Sequence, residues 1–82
     1  MTEDNIQEII TLLNEIHDDG TVPKNIRAKV EQIVSILNSS GEVSMKVNRV
    51  LNELEEISND INIQPYTRTQ VWNVVSLLEK IE

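Results

Sequence analysis

The chain has 82 residues, a formal net charge of −7, no cysteine, and only two aromatic residues, one tryptophan and one tyrosine. That length makes a single domain with a thin core, and the missing cysteine excludes disulfide frameworks, thiolate zinc sites and thiol catalysis together. The acidic balance argues against duplex nucleic acid and anionic membrane surfaces, where phosphate neutralisation supplies most of the affinity.

The start, MTEDNIQEII, is acidic and lacks a basic region followed by an apolar one, so no signal peptide is expected. No apolar run approaches the roughly 20 residues a membrane span needs. With no disulfides to staple a small domain, a cytoplasmic setting is expected. In order, four segments carry apolar residues at helical spacing. The first holds Ile6, Ile9, Ile10, Leu13 and Ile16, with Thr2 as cap and Glu3 and Asp4 in the favourable first turn. The second holds Ile26, Val30, Ile33, Val34 and Leu37 behind Pro23, placed as a first helical residue because that position needs no N–H. Ser44 is the expected N-cap of the third, which carries Val47, Val50, Leu51, Leu54 and Ile57. Pro65 opens the fourth, with Val71, Val74, Val75, Leu78 and Ile81. Breakers separate them at 19–21, 39–41 and 59–62. Connections that short make successive helices antiparallel neighbours.

The chain also matches itself at a shift of 41: Ile6 falls on Val47, Leu13 on Leu54, Ile16 on Ile57, Val22 on Ile63, Val30 on Val71 and Leu37 on Leu78. Outside the aliphatics, Glu15 falls on Glu56, Asp19 on Asp60, Arg27 on Arg68 and Ser35 on Ser76, while Pro23 and Pro65 lie one place out of register. The pattern reads as an internal duplication of a helical hairpin. One hairpin cannot bury its stripe alone, and two together close a core. Residues 1–82 are therefore expected to form one all-α domain, a compact four-helix bundle of two antiparallel hairpins, about 3–38 and about 44–82.

The repeat bears on the acidic turn EIHDDGTVPKNIR at 15–27, whose counterpart is EISNDINIQPYTR. Glutamate, isoleucine, the last aspartate and arginine recur, whereas His17 becomes Ser58. Asp19 is expected to face Arg27, and Asp60 to face Arg68, each pair clamping its turn. Glu15, His17, Asp18 and Asp19 are the alternative, a small-ligand or metal site. Adjacent helical residues point about 100° apart and no second histidine exists to complete a ligand set, so no metal or cofactor is expected. His17 instead suits a helix C-terminus. With no serine motif beside that histidine and only Gly20 and Gly41 as glycines, neither nucleophilic catalysis nor a phosphate-cradling loop is expected. No Glu-x-x-His pair of the di-iron type occurs, and Glu53, Glu55 and Glu56 read as a solvated face. No catalytic residue is expected, and the chain reads as a non-enzyme.

Trp72 stands beside the apolar stripe, opposite Glu31 in the repeat. Arg68, one turn earlier, is placed to stack on its indole. Two readings are open. Arg68, Trp72 and Asn73 make a patch for a protein partner or a second copy, since tryptophan and arginine anchor interfaces. Alternatively, Trp72 folds over the bundle edge and covers the 59–65 loop together with Tyr66.

VPKNIR at 22–27, EISND at 56–60 and RTQVWNVVSLLEKI at 68–81 resemble an uncharacterised family of short archaeal proteins. The resemblance covers nearly the whole chain and departs after Ser44, where Met45 stands in place of the family's proline. It implies a four-helix fold and an archaeal, cytoplasmic setting, and it supplies no activity.

Overall fold

The computed structural model describes residues 3–81, with side chains from Asn5 onward. The expected Thr2 cap and the Glu3 and Asp4 side chains lie outside the described residues. Four helices follow one another: α1 Glu3–His17, α2 Lys24–Asn38, α3 Val43–Ser58 and α4 Pro65–Ile81. α1 packs on α2 and α4, and α3 packs on α2 and α4, so each helix has two adjacent neighbours. The four-residue and six-residue connections are too short to cross the 32 Å length of the molecule, so the helices run up, down, up, down.

The core is wholly aliphatic. Ile9, Leu13, Ile16, Ile33, Leu54, Ile57 and Leu78 are fully buried, along with Val30, Val47, Val50, Val71 and Val74. Val22 and Ile63, one in each equivalent connection, plug the same end of the bundle. The apolar stripes form the core as expected; Ile6, Val34, Leu51 and Val75 mark their half-buried margins. The shift of 41 also holds in three dimensions. Ile57 replaces Ile16 as acceptor of the N–H three residues on, at Asp60 and Asp19 respectively. The Asp19 carboxylate accepts the Thr21 N–H at 2.9 Å, and the Asp60 carboxylate accepts the Asn62 N–H at 2.7 Å. Both corners are thus Asx turns, in which a short carboxylate captures the backbone two residues on.

Two helix starts differ from expectation. Pro23 is the N-cap of α2 rather than its first residue, whereas Pro65 is the first residue of α4. The helix starts are in register and the prolines occupy neighbouring positions, both of which lack any need for an N–H donor. Glu42, not Ser44, is the N-cap of α3; Ser44 lies inside the helix and its hydroxyl donates to the Glu42 carboxylate. The α2–α3 connection differs in kind from the other two. Gly41 adopts φ 131°, a conformation that side chains disfavour.

Candidate functional site

Three cations occupy the same place in successive helices: Arg27, Lys46 and Arg68 are the fourth residues of α2, α3 and α4. A cation near a helix start opposes that helix's own dipole, but the neighbouring C-terminus presents carbonyls without partners. Lys46 Nζ donates to the Ser39 carbonyl at 2.8 Å and to that of Leu37 at 3.4 Å. Arg68 donates from Nε to the Ser58 carbonyl and from Nη2 to the Asp60 carbonyl, both at 3.1 Å. The expected Asp60–Arg68 clamp is therefore corrected. The arginine does hold the turn, through main-chain carbonyls, while the carboxylate is committed to its Asx turn. The Asp19–Arg27 pair is corrected as well. Asp19 accepts both the N–H and the hydroxyl of Thr21, and Arg27 Nε is buried without a partner. The hydroxyl bond, then the N–H bond, holds the Asp19 carboxyl below its ordinary range.

The acidic turn does not converge. His17 ends α1, with Nδ1 at 3.2 Å from Asp18 and Nε2 at 3.1 Å from Glu31 of α2. Asp19 faces its own turn and Glu15 is exposed. Among the described residues, no group of three or more histidine or acidic side chains is arranged to hold a metal ion. Glu31, which ties His17 to α2, was not legible in the sequence, because its partner lies 14 residues away.

Trp72 is 52% exposed on α4. The guanidinium of Arg68 is drawn to the end of α3, so the expected stacking on the indole gives way to carbonyl hydrogen bonds. Asn73 is exposed about 100° further round the helix from Trp72, so the three residues do not share one surface. The indole lines a shallow depression between α3 and α4 with Leu51, Asn52, Glu55, Val75 and Glu79, rather than covering the 59–65 loop. Tyr66 is also exposed. Spacing offered a signal for two of these residues, since Val75 and Glu79 follow Trp72 at i+3 and i+7. Glu55 and Asn52 come from the neighbouring helix and carried none.

The two seams between hairpins differ. At the α2–α3 seam Lys29 reaches Glu53 at 3.5 Å and makes a shorter contact with Glu56. The Glu56 hydrogen bond raises the Lys29 pKa, with Glu53 adding to it. At the α1–α4 seam the equivalent positions hold Gln70, Leu12 and Glu15, and Gln70 Oε1 is buried without a partner.

These features define a small all-α protein with a repeated hairpin and one aromatic flank. The chain belongs to the uncharacterised protein family UPF0147, which matches residues 1–81. It is 36% identical over 81 residues to the family's protein in Archaeoglobus fulgidus, covering 99% of this chain and 93% of that one. It is 40% identical over 77 residues to the protein of Methanosarcina acetivorans, covering 93% and 79%. The fold is similar to two crystal structures. One is of a protein of unknown function, with TM-score 0.93 and 37% identity over 100% of this chain and 94% of the other. The second is the Thermoplasma acidophilum member of the same family, with TM-score 0.92 and 30% identity over 98% and 95%. The archaeal four-helix family expected from the sequence is thus the family to which the chain belongs. Among the described residues no helix is long and apolar enough to cross a membrane.

Proposed function

We propose that this protein is a non-enzymatic interaction module of the cytoplasm, docking a protein partner on the α3–α4 flank around Trp72. One observation carries the reading. The core is built entirely from isoleucine, leucine and valine, yet the single tryptophan stands 52% exposed over half-buried Leu51 and Val75. The buried core does not include the indole, and a large apolar side chain kept at the surface beside aliphatics is the usual composition of an interface anchor. Asn73 and Arg68 fall outside the depression: Asn73 lies round the helix, and Arg68 serves the turn.

The test is a paired pull-down from an archaeal lysate with wild type, Trp72→Ala and Tyr66→Ala, after thermal melts establish that all three fold alike. The reading expects one or more proteins retained by wild type and Tyr66→Ala but lost from Trp72→Ala. Identical retention by all three would refute it.

A further inference from the structure

We infer that the occupant of the Trp72 flank is a basic amphipathic helix, an inference that rests on the docking role proposed for that flank. Its rim is acidic. Glu55 and Glu79 are both exposed, and among the described residues neither carboxylate forms an ion pair. Arg68, the nearby cation, is withdrawn to the carbonyls of Ser58 and Asp60. Lys80 follows Glu79 but points about 100° away around the helix. The chain as a whole carries −7. A cationic partner therefore meets unneutralised carboxylates locally and a favourable field at longer range.

The shape favours a helix. The flank is a groove between antiparallel helices, and its α4 wall is built from positions 72, 75 and 79, spaced i, i+3 and i+7. That run rises roughly 10 Å, the length of two helical turns. An apolar stripe at helical spacing can rest on Trp72, Leu51 and Val75 while its flanking cations reach Glu55 and Glu79. No strand occurs among the described residues, so there is no sheet edge for an extended peptide to join. A second copy fits poorly, because a symmetric contact sets Glu55 and Glu79 against their own images between two chains of the same net charge. The surface is small: the molecule exposes 5048 Å² in all, and two helical turns cover less than the ~800 Å² per partner of a standard interface. Affinity in the micromolar range or weaker is therefore expected.

Because Trp72 is the only tryptophan, its fluorescence reports the flank directly. The probes are two tryptophan-free synthetic peptides of about 18 residues, long enough to hold a helix. Both carry the same leucine stripe, one with lysine and the other with glutamate on the polar face. The full-length chain is titrated with each at low and high salt. The lysine peptide is expected to shift Trp72 emission to the blue and to bind more weakly as salt rises, while the glutamate peptide does not bind. Glu55→Gln and Glu79→Gln should each weaken binding about twofold to fivefold. Glu8→Gln and Asp18→Asn, which remove the same charge elsewhere, should leave it within a factor of two. Equal binding of both peptides, or equal weakening by the distant substitutions, overturns the basic partner while leaving the docking surface standing. If neither peptide binds, the inference fails. The docking role falls with it only if lysate retention is also indifferent to Trp72. A concentration-dependent emission shift without peptide, with a matching dimer in sedimentation, overturns the inference in favour of self-association.

Discussion

Replacing Arg68 by alanine removes two charge-assisted hydrogen bonds to the end of α3, both at 3.1 Å. Such bonds contribute about 1.5–3 kcal/mol each when well buried. Arg68 is half-buried, so roughly 1 kcal/mol for each is the fitting scale, about 2 kcal/mol in total. In a domain this small that lowers Tm by roughly 10 °C. Asp60→Asn keeps an acceptor for the Asn62 N–H and removes only the charge. If the carbonyls hold Arg68, the aspartate charge matters little, and Asp60→Asn should cost under about 0.5 kcal/mol. Urea melts of the two single variants and the double variant close the cycle, with coupling expected below about 0.5 kcal/mol. A coupling above about 1 kcal/mol, or Asp60→Asn costing as much as Arg68→Ala, would refute the carbonyl clamp and restore the aspartate–arginine pair. Arg27→Ala belongs in the same series. With its Nε already unpartnered, it should cost clearly less than Arg68→Ala.

Other expectations follow from the connections and seams. Gly41→Ala should destabilise by about 1–3 kcal/mol in a thermal melt, since φ 131° strains any side chain even though nothing lies within 4 Å of the added Cβ. Gly20→Ala, with open space and no positive φ, should be neutral or slightly stabilising. Gln70→Lys should place a cation near Glu15, copying the α2–α3 seam, and raise stability by up to ~1 kcal/mol at neutral pH. That gain should shrink as salt rises, because an exposed pair of this kind is screened. The folded pKa of Lys29 lies above its ordinary 10.5, so its contribution is fully present below that value and is lost as pH rises through the raised folded value. Lys29→Gln should remove this alkaline loss in pH-dependent chemical melts. Asp19 has the opposite sense: its folded pKa lies below 3.8, so its contribution is present above that value and fades as pH falls.

The architecture was legible because the hydrophobic pattern is redundant. Every helix repeats its aliphatics at helical spacing, and the second hairpin repeats the first. Even the buried loop plugs Val22 and Ile63 appeared in the self-match. Hydrogen-bond partners were less legible. Sequence spacing brought Arg68 and Asp60 together correctly, but it could not show that the acceptor was a main-chain carbonyl and that the carboxylate was already captured by Asn62. The same blindness produced the stacked Arg68–Trp72 pair. An i, i+4 spacing permits it, but the orphan carbonyls at the end of α3 attract the guanidinium more strongly. The candidate site was half visible. Trp72 stood out beside the stripe, whereas Leu51, Asn52 and Glu55 join it only through the antiparallel packing of α3 on α4.

The most direct test of the docking flank is a two-dimensional amide, indole and methyl NMR titration of the full chain with the lysine–leucine peptide. The account predicts shifts concentrated at the single Trp72 indole N–H, the Leu51 and Val75 methyls, and the amides of Glu55 and Glu79, with the α1–α2 face silent. Shifts centred on exposed Met45 and the α2–α3 groove with Ile36 and Arg49, or spread evenly over the surface, would contradict it.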